Sequence, residues 1–464
     1  MTDDSTQTPD LSLRAFTEPR PDRATRFTAG QAARIETPLD AHAHLVLPPE
    51  RDALALLHAQ ESSREPGLIP LRYERMGASP FAFLRGSAAV MAADLSAGAR
   101  TTIRAQLCGD AHVANFGMSA SPDRRLVFDL NDFDETLPGP FEWDVKRLAA
   151  SVAVAGRHVG VKPKKTRAAT RATVASYRTT IATLAQMSPM AVWYARVDVE
   201  DLVNALKGTS LADDAKRAGR SSAKATGDVA VGKLTEVVDG RRQFRSAPPL
   251  LVPVDEAEHE GITESAAALF GQYLETLSPD AVLLLLRYSF VGLAHKVVGV
   301  GSVGTRALAM LMVTGDGDHL VLQIKQANAS VLEPYVGAST IGHHGRRVVV
   351  GQRLMQATGD PLLGWTSGSQ AAPFYYFVRQ IKDMKGSIDL ERLDAEDLAL
   401  YGRICGAVLA RAHTRAGGAA KITGYLGDTD TFDVAVADWA NSYADLTERD
   451  HAALVAQTSE PAHS

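Results

Sequence analysis

The chain has 464 residues, 45% of them apolar and 22% charged, with a net charge of −5 and two cysteines, Cys108 and Cys405. That length exceeds one ordinary core and implies two or more lobes, and the mild negative charge gives no general reason to expect nucleic acid or an anionic membrane as partner. Two cysteines exclude a disulfide framework and point to a reducing, cytoplasmic setting.

Residues 1–25, rich in Asp, Thr, Pro and Arg, read as a disordered tail with no apolar core of a secretory leader. From 26 to 100 the pattern is that of an N-terminal helical extension, with "RDALALLHAQESS" and then "SAAVMAADLSAG", the second closed by glycine. Between them "LRYERMGASPFAFLRG" interleaves Arg72, Arg75 and Arg85 with Tyr73, Phe81 and Phe83. One reading is a solvated helix face for Arg72 and Arg75 over an aromatic core. The other sends a guanidinium into a cleft to clamp phosphate or an anionic acceptor, with Arg85, just before Gly86, as the candidate.

Residues 101–206 carry the chemistry. "TTIRAQLCGD" reads as a strand entering a loop, "RRLVFDLNDFD" as a second short strand, and a long helical zone follows from "FEWDVKRLAASVAVAGRHVG". Residues 207–250 change character, with nine Lys or Arg among Ser, Gly and Ala, and read as a basic linker or mobile loop. Residues 251–385 read as a small lobe, richer in strands from 285 on: "HKVVGVG", "RALAMLMV", the turn "TGDGDH", "LVLQIKQA", "RRVVVGQRLM" and "FYYFVRQIKDM". The apolar run at 280–301 is broken by Arg287, His295 and Lys296 and is too interrupted to span a bilayer. Residues 386–464 return to helices, led by "LALYGRICGAVLARAHTRAG".

Asp110 and Asn115 flank His112, and the Asp132-Phe133-Asp134 triplet ends a short strand. A hydroxyl attacking a phosphate needs a carboxylate to orient it and take its proton. Magnesium needs hard oxygens, a carboxylate and an amide carbonyl, with phosphate oxygens completing the shell. Asp110 fits the first role, and Asn115, Asp132 and Asp134 supply the second, as in a kinase catalytic loop followed by its metal-binding Asp. Asp144 is then the buried Asp that braces the loop, and Cys108 a buried small hydrophobe. "GDxH" also opens a metallophosphoesterase signature, but the "GDxxD" and "GNHD" stretches that chemistry needs do not occur.

The second half of the site is "GVGSVGTRALAMLMVTGDGDHLVLQIKQA". Gly299, Gly301, Ser302 and Gly304 form a glycine-rich turn. A Rossmann turn is one reading, but only about nine residues separate the glycines from "GDGD", short for a crossover helix. The better reading is a glycine hairpin over nucleotide phosphates, with Lys325 on the third strand at the phosphates and Glu333 as its carboxylate partner. Asp110 precedes Lys325, the reverse of the order in ordinary kinases, so the expected fold is α+β, two-lobed and circularly permuted.

"RYERMGASPFAFLRG", "LCGDAHVANFG", "NDFDETLPGPFEWDVKRLAAS" and "GRICGAVLARAHTRAG" resemble the bacterial domain-of-unknown-function family 2252 over roughly residues 25–455. That resemblance implies a protein-kinase-like fold. The loop also resembles the "HGDxHxxN" of aminoglycoside and choline kinases, with Cys108 in place of the leading His. The expectation is an ATP- and magnesium-dependent phosphotransferase acting on a hydroxyl of a small-molecule acceptor. Nucleotidyl transfer to protein and a nucleotide-binding pseudokinase are the alternatives.

Overall fold

Helices dominate the first hundred residues of the computed structural model, which describes residues 17–254, 262–297, 301, 303–368, 374–381 and 384–459. Helix α1 (Arg23–Glu36) starts inside the expected tail, because the Asp22 side chain caps it by accepting from the Thr25 amide; residues 1–16 lie outside the described part. Then come α2 (Ala53–Ala59), α3 (Ile69–Gly77), α4 (Pro80–Gly86) and α5 (Ala88–Ala97). Ser79 caps α4 and Pro80 opens it, a start legible in the sequence.

Four short strands follow: β1 (Arg104–Leu107), β2 (Phe116–Ala120), β3 (Leu126–Leu130) and β4 (Leu137–Pro140). They pair antiparallel as β1 with β4 and β2 with β3. The loop carrying Asp110 therefore lies between β1 and β2, and the Asp132–Asp134 triplet between β3 and β4. The sequence reading missed β2, whose "FGMSA" has little β-branched content and is held by its partner strand.

Next are α6 (Glu142–His158), α7 (Pro163–Leu184), α8 (Pro189–Tyr194), α9 (Val199–Ala205), α10 (Ser210–Lys224), α11 (Gly227–Leu234), and a hairpin of β5 (Thr235–Val238) and β6 (Arg241–Phe244). The segment expected as a linker is thus folded. Leu211, Ala212, Ala215, Gly219 and Ser222 bury one face of α10, while Lys216, Arg217 and Arg220 face solvent. The basic residues of α10 lie on its outer face, so the composition does not mark a flexible tether.

The remaining elements are β7 (Leu251–Pro253), α12 (Ile262–Leu274), α13 (Pro279–Leu285), β8 (Tyr288–Lys296), β9 (Ala307–Thr314), β10 (His319–Ala327), α14 (Glu333–Val336), α15 (His344–Met355), β11 (Gly364–Ser367), β12 (Tyr375–Gln380), α16 (Ala395–Arg415), α17 (Ala419–Leu426) and α18 (Thr431–Ser459). "RRVVVGQRLM", placed among the strands by its valines, is helical instead. Gly345, Val348, Val349, Gln352 and Met355 fall at helical spacing and are buried, and the His343 ring caps the start. Strand order in the six-stranded sheet is β11-β12-β10-β9-β8-β7, every pair antiparallel.

The sheet has two differently covered faces. Met310, Met312, Leu322 and Ile324 pack on one side against Ala266, Tyr273, Ala281 and Leu285 of α12 and α13. Ala294, Ala309, Leu311 and Val321 pack on the other against Ala230 and Val231 of α11 and Phe244 of β6. The largest core joins α6, α7, α16 and α18 to the four short strands. The molecule is a mixed α+β fold, and no helix among the described residues is long and apolar enough to cross a membrane.

Candidate active site

The loop after β1 is fixed by α6. Both oxygens of Asp144 accept loop amides, Oδ2 from Cys108 N at 2.7 Å and Oδ1 from Gly109 N at 3.0 Å. His413 of α16 stands behind Asp144, with Nε2 at 3.2 Å from Oδ2, and its Nδ1 lies 2.8 Å from the Tyr177 hydroxyl. Gly109 has φ of +84°, and a Cβ there would lie 2.4 Å from the Glu135 carbonyl oxygen, so no other residue fits without rearrangement. The Cys108 thiol donates to the Asp132 carbonyl at 3.0 Å, and burial raises its pKa well above the usual range. It is a buried packing residue, as expected of a small hydrophobe.

Asp110 is gripped by Arg147, three residues beyond Asp144 on α6. Nε reaches Oδ1 at 2.9 Å and Nη2 reaches it at 2.7 Å, while the same guanidinium donates to the Leu84 carbonyl at 2.6 Å. The second oxygen, Oδ2, lies 3.7 Å from His112 Nε2. Burial raises the Asp110 pKa in spite of Arg147, and burial holds His112 well below its usual range and therefore neutral. Asn115 donates its amide to the Asp110 carbonyl at 2.7 Å, which leaves its side-chain oxygen as an acceptor.

Beside this loop stand Asp132 and Asp134. Burial works against ionisation of Asp132, but the positive charges of Lys325 and then Arg379 outweigh it and hold its pKa below the usual value. Asp134 is pushed the other way by burial and by the charge of Asp132. Lys325, on β10, forms an ion pair with Asp134 across 191 residues of sequence. The expected partner Glu333 is turned elsewhere: Oε1 accepts from Ser330 N at 3.2 Å and lies 4.0 Å from His344 Nδ1. Glu333 opens the short α14 beyond the end of β10, whereas Asp134 faces Lys325 directly.

Asp110, His112, Asn115, Asp132 and Asp134 line a cavity of about 280 Å³ together with Arg64, Arg85, Glu135, Gly301 and Asn328. Arg85 points into it as the sequence suggested, with a buried Nε that meets no hydrogen-bond acceptor. Arg72, in contrast, is fully buried in the scaffold, donating to Gln60 Oε1 at 2.8 Å and to the Gly86 carbonyl at 3.3 Å, so it is not on a solvated face. Arg75 is half-buried on α3.

The glycine turn is tied to the N-terminal extension. Arg64 Nη1 donates to the carbonyls of Gly301 at 3.0 Å and Val303 at 2.5 Å, and Glu65 N donates to the Gly304 carbonyl at 2.7 Å. Gly304 has φ of +87°. Gly299 and Ser302 lie outside the described residues. Sequence reasoning missed Arg64, Arg147 and Glu135. Arg147 had a signal, since it shares a helix face with Asp144 at i+3; Arg64 and Glu135 had none. Burial pushes Glu135 up to about 7, and its Oε2 accepts from Val331 N at 2.7 Å.

Loop, triplet, glycine turn and helical scaffold make up one arrangement, and the family model that covers it spans nearly all of the chain. The protein belongs to the bacterial family described as "Uncharacterized protein conserved in bacteria (DUF2252)", whose model matches residues 64–457. No curated protein and no solved structure matches the chain.

Proposed function

We propose that this protein is a kinase-like phosphotransferase that moves a phosphoryl group from ATP, with magnesium, to a hydroxyl of a small acceptor. The observation that carries this is that Asp110, Asn115, Asp132 and Asp134, from two adjacent turns, line one cavity, and that Lys325 reaches Asp134 from 191 residues away. A three-strand meander with a glycine turn, a lysine on its third strand, a helix, and two more strands inserted beside the third is the small-lobe arrangement of that class. The sheet order β8-β9-β10-β12-β11 follows it. Helix α16 supports the permuted reading: Tyr401 donates to the carbonyls of Val113 and Phe116 at 3.3 Å, although it follows the small lobe in sequence.

The donor set suits magnesium. Asp132 is held ionised, Asn115 offers an amide oxygen, and phosphate oxygens would complete the shell. When bound, the ion supplies charge neutralisation on the phosphates. In the reaction the acceptor oxygen bonds to the terminal phosphorus, the bond from that phosphorus to its bridging oxygen breaks, and the hydroxyl proton passes to Asp110. Arg147 fixes Asp110 through Oδ1, so Oδ2 is the proton acceptor, and burial makes it a better base than an exposed carboxylate. Lys325 exchanges Asp134 for phosphate oxygens, and Arg85 neutralises charge on the transferred group.

The test is incubation with γ- and α-labelled ATP, magnesium and a metabolite extract. Label from the γ position appearing on an extract component supports the reading. Movement of the α label replaces phosphoryl by nucleotidyl transfer, and retention of both labels on nucleotide leaves a binding protein.

A further inference from the structure

A second cavity, of about 180 Å³, shares no lining residue with the first, although Asn131 borders one and its neighbour Asp132 the other. Four parts of the fold meet there. The turn from β2 to β3 brings Arg124, and the end of β3 brings Asn131. The turn after α15 brings Thr358 and Asp360, and β12 with the chain beyond it brings Arg379 and Lys385.

The charge in this lining is mostly positive. Arg124, Arg379 and Lys385 stand against one lining carboxylate, Asp360, whose oxygens are already engaged: Oδ1 accepts from Leu362 N at 2.8 Å and Oδ2 from Gln380 N at 2.7 Å. The charge of Arg379 first, and burial second, push Lys385 down to about 7, so the two cations are held close together against their repulsion. Arg379 Nε donates to Gln323 Oε1 at 3.0 Å, and a guanidinium carries four further N–H donors.

Two buried polar atoms of the same lining, Asn131 Oδ1 and Thr358 Oγ1, have no hydrogen-bond partner among the described residues. Buried groups of this kind are costly to leave unmet. A water molecule would meet these two atoms but would leave the like charges of Arg379 and Lys385 opposed. A phosphate group meets all four. Its oxygens accept from guanidinium, ammonium and the Thr358 hydroxyl, and its own hydroxyl, or one on the ester that carries it, donates to Asn131 Oδ1.

We propose that this second cavity is a binding site for a phosphate group, free or at the end of a small metabolite, held by Arg379, Lys385, Thr358 and Asn131. The site is separate from the transfer reaction and does not depend on it. Arg379 also lowers the pKa of Asp132, so the two cavities share one positive charge.

Calorimetric titration of the full chain with inorganic phosphate and with glycerol 3-phosphate, without nucleotide or magnesium, tests this. One binding event per chain is expected, with a Kd of about 1 mM or tighter for at least one of the two compounds. Tighter binding of the ester identifies a metabolite as the ligand, and tighter binding of the ion identifies free phosphate. Lys385→Gln is expected to weaken that event at least about tenfold, and Arg85→Ala, in the other cavity, to leave it within about twofold. Thr358→Val keeps the side-chain shape, removes the hydroxyl and is expected to weaken binding severalfold, which carries the test if Lys385→Gln does not fold. Absence of binding by both compounds overturns the proposal. So does binding that survives Lys385→Gln and Thr358→Val but is lost in Arg85→Ala, since the phosphate then sits in the first cavity.

Discussion

The inner face of the sheet has two ends that differ sharply although they share strand β10. At one end Lys325 meets Asp134, which lines a polar cavity. At the other Val321 is sealed under Val231 and Phe244. Both ends are buried, and the strand geometry is the same. The difference lies in what covers them: at the Lys325 end, backbone loops that present charge; at the Val321 end, a helix and hairpin that present apolar side chains. Burial alone therefore says nothing about where the chemistry is. A buried cluster of ions is not explained by stability alone, because ion pairs out of water contribute little net stabilisation.

Damage to the charged end is expected to cost activity and leave the filled end intact. The largest effect belongs to Asp110→Asn, which keeps an acceptor for Arg147 but removes the base. Transfer is expected to fall roughly 10²–10⁴-fold in labelled-phosphate assays, with the circular dichroism spectrum unchanged. Arg85→Ala comes next, at about 10²-fold or more in turnover with a small change in melting temperature. Unfolding, or unaltered turnover, would make Arg85 part of the scaffold and remove it from the comparison.

Asp132→Asn tests the proposed magnesium site at the same end. It relieves repulsion with Asp134 but removes a carboxylate whose pKa is held below the usual value, so magnesium-nucleotide affinity is expected to drop roughly tenfold by calorimetry. Unchanged affinity would move the metal to Asp134. The smallest effect on catalysis belongs to the filled end. Val231→Ala is expected to lower stability by about 1–3 kcal/mol in denaturant titrations while transfer proceeds as before. A large loss of turnover there would show that the two ends act as one unit.

The clustering of residues at the charged end was legible in the sequence because it depends on residue types at short spacing. Asp110, Asn115, Asp132 and Asp134 fall within twenty-five residues, and the local chain places them on two adjacent turns. The glycine turn, the strand bearing Lys325 and the long helix α16 were equally local, each marked by periodicity and by glycine. The bracing role of Asp144 followed from its place at the start of a helix just after the loop's strands.

What only the tertiary structure decided is which of these local pieces face each other. Lys325 takes Asp134 and not Glu333, since a partner 191 residues away carries no spacing signal and a nearby carboxylate does. Arg64 holds the glycine turn from 237 residues away for the same reason. The valines of α15 pointed to a strand until packing of one face against the sheet chose a helix. The basic segment at 207–250 pointed to a tether, because its composition averages over two faces. Its structure depends on the inward faces: Leu211, Ala212 and Ala215 of α10 join the largest core, and Ala230, Val231 and Phe244 close the far end of the inner sheet. Composition reports what a segment contains. Only the assembled fold determines which side of it is turned inward.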